Sequence, residues 1–448
     1  MEQPRRVFLR TISGAAALPV VVPLLDSDTH TALREGLPGV GIATLGNIRS
    51  HFPLLGDSMN GHPLVYLDSA ATTQRPRAVL DVLDRFYLHE NANPSMSLHA
   101  LARNSAGQYQ EARATVARFL NARGTDEIVF TRGTTEAINL VASSWGSANL
   151  GRGDEIVITV SDHYSSLVPW QLAARRTGAT LRVWDISDDG HLRLGQLDTL
   201  LSKRTKIVTF PHVSNVLGAI NPAKEICERA HRAGALVLVD AAQSVPHFPV
   251  DVREIGCDFL ALSGHKMCGP MGIGVLWGRR DILDAMPPFQ AGSNMVHEVE
   301  MESAPEHFAE GGLKFEAGTP NVPGALGLAA AVRFLESFGR KELWTREREL
   351  TAYVLSSLGK AKGVRILGPT KANERISVFS FVVLNRNPSD IAASLDRIGV
   401  AVRAGDLASL PGLKRLGVPA AVRASCYIYT STEDIDRLIA GLQELGSS

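Results

Sequence analysis

Lys266 stands in "LALSGHKMCGPMG" (260–272), at the end of an apolar stretch and among Ser263, Gly264, His265 and Gly269. A buried ammonium is costly unless something engages its charge, so a lysine here either reaches water or is chemically used. Asp240 raises the same question, because it closes the apolar run "ALVLVD", where a carboxylate needs a cation or several donors. Thr134 and Thr135 follow "IVFTRG", His163 follows "IVITVSD", Asn215 follows "IVTFPHVS", and Gln243 comes shortly after Asp240. Singly, each has a structural reading: a threonine can cap a helix and a histidine can settle a turn. Together they bring an amine, a buried acid, hydroxyls ahead of a helix and an aromatic ring to one place.

The elements that position them are legible in the pattern. "HPLVYLDSAATTQRP" reads as a strand and turn leading into an amphipathic helix from Arg77 to Leu88, and from there to about residue 280 strand, loop and helix alternate. Such alternation predicts a mostly parallel, seven-stranded-type sheet covered by helices, with ligands at the carboxyl ends of the strands. After "FEAGTPNVPGALGLAAAVRFLESFG" a long helix precedes "ISVFSFVVL", a helix from Pro388 to Ile398, "VAVRAG", "AVRASCYIY" and a last helix. This second set predicts a smaller α+β C-terminal domain. The expected division is a leader over 1–30, an N-terminal segment over 31–75, a large domain over 76–325 and a small domain over 326–448.

A chain of 448 residues, 45% hydrophobic and 21% charged, has material for a large core. Lys+Arg and Asp+Glu balance at 46 each, without a long basic run, which argues against a nucleic-acid partner. Cys227, Cys257, Cys268 and Cys426 have no spacing suited to a structural metal site, so no metal is expected and the thiols read as buried. "PRRVFLRTISGAAALPVVVP" places Arg5 and Arg6 ahead of an uncharged run from Ile12 to Leu25, too short for a stable membrane span. It resembles a twin-arginine export signal, which carries folded proteins and implies a periplasmic or exported location, with the cytoplasm as the alternative.

The chemistry-bearing residues suit pyridoxal 5′-phosphate. That cofactor needs a lysine to hold it and a carboxylate to keep its pyridine nitrogen protonated, and Lys266 and Asp240 supply both. The "GTT" turn opening a helix suits the phosphate, since free backbone N–H groups and the helix dipole favour an anion; Ser263 and His265 add donors. His163 can stack on the ring and Gln243 can reach the phenolic oxygen.

With these motifs in order, the chain resembles the class V aminotransferases of fold type I, and within them the SufS-type cysteine desulfurases and selenocysteine lyases. "YLDSAATTQRP", "IVFTRGTTEAINLVASSWG", "GDEIVI", "HVSNVLG", "LVDAAQS", "SGHKMCGPMGIGVLWGR", "KFEAGTPN" and "VRAS" carry the resemblance over about residues 48 to 445. It implies a homodimer with shared active sites, in which Thr319 reaches the neighbouring subunit's phosphate. It also implies that Arg423, with Arg403 nearby, binds the substrate carboxylate as a two-pronged clamp.

The resemblance breaks on the substrate side. In "VRAGDLASLPG" Ala408 takes the place of the desulfurases' nucleophilic cysteine, with Asp406 and Leu407 where histidines are common, and Ser95 and Met96 replace a His-Arg pair. On that basis the expected activity is transamination or deamination at the α-carbon of an amino acid, or of the amino-acid part of an exported peptide, without persulfide chemistry. The alternatives are a cysteine desulfurase or C–S lyase activity, an epimerase like isopenicillin N epimerase, and a non-catalytic family member. The leader adds a similarity to the exported enzymes that tailor pyoverdine siderophores.

Overall fold

The computed structural model describes residues 45–94, 99–296, 299–305 and 307–447. The leader with Arg5 and Arg6, and Ser95 and Met96, lie outside the described residues. Seven strands form the central sheet: β1 (Ile128–Thr131), β2 (Glu155–Thr159), β3 (Thr180–Trp184), β4 (Thr205–Pro211), β5 (Leu236–Asp240), β6 (Phe259–Ser263) and β7 (Gly274–Gly278). Their order is β1-β7-β6-β5-β4-β2-β3. Neighbours run parallel except β7, which is antiparallel to both β1 and β6. Successive residues alternate between two cores: Val237, Val239, Leu260 and Leu262 enter one, and Leu238, Phe259 and Ala261 the other. Burying both faces accounts for the continuous apolar runs, each Val, Leu or Phe contributing about 1.5–3 kcal/mol.

The helices used below are α1 (Arg77–Arg85), α2 (Ala100–Phe119), α3 (Thr134–Ser143), α4 (Tyr164–Thr177), α5 (Ala223–Arg232), α6 (Val322–Ser337), α7 (Arg340–Lys360), α8 (Pro388–Arg397) and α9 (Thr432–Ser447). A second, antiparallel sheet follows the order β8-β9-β11-β10, with β8 (Val364–Leu367), β9 (Val378–Val383), β10 (Arg403–Gly405) and β11 (Ala421–Ser425). Its core joins Phe379, Phe381, Val422 and Ala424 to Leu350 and Val354 of α7, Leu395 of α8 and Leu438 of α9.

The long helix expected after Gly339 is α7; α6 precedes it, and the two are separated at Gly339, whose φ of 77° suits a residue without a Cβ. α6 packs on α1 and α2, while α7 packs on β8 and α9, so the change of partner falls at Gly339. The segment before residue 75 is equally divided in allegiance. Val65–Tyr66 pairs with Val400–Ala401, and Leu67 joins the small core, yet Thr73 bonds the lysine loop through His265 O at 2.9 Å. α6 lies hard on that loop: a Cβ on Gly327 would come within 2.4 Å of Pro270 Cγ. The α-helix expected to Leu88 ends at Arg85 and passes into a wider turn over Phe86–Glu90.

Candidate active site

Of the residues expected to bind cofactor or substrate, all line one cavity of about 410 Å³ except Thr319, which is exposed and accepts a hydrogen bond from Asn93 Nδ2 at 3.3 Å. One wall comes from the strand ends of the large sheet. Thr134 opens α3; its N–H donates to Ser263 Oγ at 2.9 Å, and the two hydroxyls are 2.8 Å apart. β7 presses on this turn, since a Cβ on Gly274 would sit 2.5 Å from Gly133 Cα. Thr135 Oγ1 meets Ser165 Oγ at 2.6 Å, and His163 caps α4 by accepting from Ser165 N at 3.0 Å through Nδ1. Asp240 ends β5 and accepts from Ala242 N at 3.0 Å. Gln243 Nε2 donates to Ala70 O at 2.8 Å.

Small-sheet residues form the other wall. Arg403 and Arg423 are directly opposed across β10 and β11. Both bind Asp68, Arg403 Nη2 at 2.7 Å and Arg423 Nη2 at 3.3 Å, and Arg423 Nη1 also donates to Asn215 O at 3.0 Å. Asn215, expected at the cofactor, spends its amide N–H₂ on Leu407 O at 2.9 Å. The loop of Asp406, Leu407 and Ala408 closes this wall. Leu407 and Ala408 both have left-handed backbones, with φ of 53° and 56°. Tyr164 anchors the loop twice, its N–H donating to Ala408 O at 2.9 Å and its hydroxyl to Asp406 Oδ2 at 2.7 Å.

Burial governs the electrostatics. It brings the Lys266 ammonium down to about 8, Asp240 opposing and Arg423 assisting. It raises the Asp240 carboxyl, with Ala242 N–H and Lys266 pulling the other way. His163 falls to about 4 through burial and the cations Lys266 and Arg423, so it is a neutral ring at physiological pH. Burial and Lys266 likewise bring His265 to about 4. Lys266 is thus an amine poised near neutrality beside a buried acid, a set that could hold an aldehyde-bearing, pyridine-containing, phosphorylated cofactor. Gln243 Oε1 fits such a group, being a buried polar atom with no partner among the described residues, on the wall of the cavity.

Sequence reasoning missed Asp68, Ser165 and Tyr164. Asp68 meets its two arginines only through tertiary pairing beside Ser425, which no local pattern announces. Ser165 had a usable signal, lying just past His163 at a helix start, where hydroxyls and free amides collect. Among the described residues no helix is long and apolar enough to cross a membrane, and no cluster of three metal-ligating side chains occurs.

Comparison with known proteins places this geometry. The sequence profile of aminotransferase class-V matches residues 65–438. A probable cysteine desulfurase of Halalkalibacterium halodurans is 48% identical over 397 residues, covering 89% of this chain and 97% of that protein. The cysteine desulfurase of Pectobacterium atrosepticum is 43% identical over 398 residues, with coverage of 89% and 97%. Among solved structures, the cysteine desulfurase CsdA of Escherichia coli superposes with a TM-score of 0.82 at 36% identity, covering 91% of this chain and 99% of that one. A structure of C-DES with glycine covalently linked to its PLP cofactor gives 0.76 at 25% identity, covering 88% and 99%.

The names of these relatives overturn the expectation of transamination or deamination without persulfide chemistry. That expectation treated the loss of one side chain at 408 as the loss of sulfur chemistry. Cleaving the C–S bond, however, draws on the cofactor wall for an electron sink and on a thiol to take the sulfur, and nothing requires that thiol to sit at 408. The cofactor is pyridoxal 5′-phosphate, and with its α/β sheet, smaller antiparallel sheet and a match over most of its length, the chain belongs to the class V aminotransferase family of fold type I pyridoxal phosphate enzymes.

Proposed function

We propose that this protein is a cysteine desulfurase, cleaving the C–S bond of cysteine or a cysteine-like amino acid. The observation that carries the reading is near full-length similarity, at 43–48% identity, to proteins of that name, in a chain whose cavity sets Lys266 and Asp240 opposite Arg423. The cofactor supplies an electron sink for charge developing beside the α-carbon. In this reading Lys266 holds the cofactor and later moves the α-proton. Asp240 pairs with the ring nitrogen, His163 stacks on the ring, and Gln243 faces the phenolic oxygen. The N-terminus of α3 with Thr134, Thr135, Ser165, Ser263 and His265 receives the phosphate. Arg423 holds the substrate carboxylate, exchanging one of its present partners for it.

The test is to incubate the purified yellow protein with cysteine and measure alanine and transferred sulfur together. Equal amounts of both, lost in Lys266→Ala, are expected; a keto acid or an inverted amino acid with the C–S bond intact would refute the reading. In addition the enzyme works as a homodimer, with Thr319 serving the neighbouring site. Cross-linking, and loss of cofactor affinity in Thr319→Ala, would test this. The leader with Arg5 and Arg6 exports the folded protein. A reporter fused behind residues 1–40 should cross the membrane and should stop when both arginines become lysine.

A further inference from the structure

Resting on that reading, the cavity wall answers a question the reading leaves open, namely what takes the sulfur. No cysteine lines the cavity. Cys227, Cys257, Cys268 and Cys426 are free and at most 2% exposed. Burial pushes the Cys268 thiol up to about 12 and those of Cys257 and Cys426 well above their ordinary value. The thiolate is the nucleophile, so these groups stay inert near neutral pH. The nearest to Lys266 in sequence, Cys268, is locked beneath the lysine loop with its N–H on Thr73 Oγ1 at 2.8 Å.

The loop facing the cavity from the small sheet cannot bring in a thiol either. It presents the Ala408 methyl and is fastened along its length. Asn215 Nδ2 holds Leu407 O, Tyr164 N holds Ala408 O, and Ser409 Oγ donates to Asp162 O at 3.2 Å. Charges of both signs flank the methyl group: the Arg403 side chain, 49% exposed, and the Asp406 carboxylate, which is also exposed.

We propose that the sulfur acceptor is a small soluble thiol carrying charges of both signs, such as glutathione or a second cysteine, which enters beside Ala408 and leaves as a free persulfide. The acceptor thiolate attacks Sγ of the bound cysteine. An S–S bond forms, the Cβ–S bond breaks, and its electron pair remains on Cβ. Cβ then takes a proton, so cysteine becomes alanine and the acceptor becomes its persulfide. The transferred sulfur gives up the two electrons that Cβ gains, so no further oxidant is needed.

The experiment gives the holoenzyme ³⁵S-cysteine under anaerobic conditions, alone, with glutathione, or with reduced thioredoxin as a protein thiol. Thiols are then alkylated and protein is separated from small molecules. Saturating glutathione should raise alanine formation about tenfold, with the label in alkylated glutathione persulfide and none on this chain. With cysteine alone, the rate should depend on cysteine to second order. Label held stoichiometrically on the enzyme, with first-turnover alanine formation indifferent to glutathione, would overturn the proposal while leaving C–S cleavage intact. Turnover with thioredoxin but not with glutathione would do the same. No alanine in any arm would remove the desulfurase reading and the proposal together. Ala408→Cys should divert the label onto the introduced thiol and make alanine formation in the first turnover largely independent of glutathione.

Discussion

The large-sheet wall of the cavity presents its groups from the first residues after buried strands, so each is aimed by a backbone that cannot shift without breaking a core. The small-sheet wall presents its groups from β10, β11 and the loop after them, where aim depends on Asp68, Asn215 and Tyr164 reaching across from elsewhere. On the sequence reading the first wall carries the motifs of the family, whereas the second carries the departures at 406, 407 and 408. In the proposed reading cofactor chemistry is tied to the sheet itself, while the partner of the reaction is set on a surface held by a few long-range bonds. This is the usual division between scaffold and loop, here drawn between two faces of one cavity.

The comparison breaks first at Lys266. Lys266→Ala should abolish the visible absorbance of bound cofactor and lower alanine formation by about a thousandfold or more, with the circular dichroism of the fold unchanged. Arg423→Ala should leave that absorbance in place and raise KM. Its loss of kcat/KM corresponds to about 2 to 5 kcal/mol, because a buried charge partner disappears, and Arg423→Lys should recover little of it. Asp240→Asn keeps shape but removes charge, so it should retain the cofactor and lower kcat by about a hundredfold with KM little changed. If Arg423→Ala instead released the cofactor, the two walls would not be separable.

Two smaller effects sharpen the picture. With Lys266 brought down to about 8, capture of added cofactor by the cofactor-free protein should quicken as pH rises through that value and level off above it. An ordinary lysine would keep gaining neutral amine to about pH 10, and stopped-flow absorbance separates the two. Tyr164→Phe removes the hydrogen bond to Asp406 and should change the response to glutathione by only a few fold, with cofactor affinity unaltered.

The cofactor wall was legible because its signals are local. An apolar run ending in Asp240, a "GTT" at a helix start and "SGHK" after a strand each specify both an element and the residue at its tip. The parallel sheet followed from the same runs, although the antiparallel setting of β7 did not, since strand direction is decided by connections rather than by composition. The substrate wall was legible only as a departure from a pattern. Asp68 meets Arg403 and Arg423 through pairings 335 and 355 residues apart in the chain, and Asn215 turns to Leu407 across 192. The reaction itself was misread because the side chain at 408 was taken as the sole source of a thiol to receive sulfur.

Leu407 and Ala408 hold left-handed backbones side by side, and that shape is maintained by bonds to backbone atoms from Asn215 and Tyr164 rather than by either side chain. In evolutionary terms position 408 is thus a free letter in a fixed word: an unbranched small residue can be exchanged there without rewriting the loop, whereas a β-branched one meets a conformation it rarely tolerates. Exchange of Ala408 for cysteine would therefore test the sulfur acceptor while leaving the loop's backbone as it is.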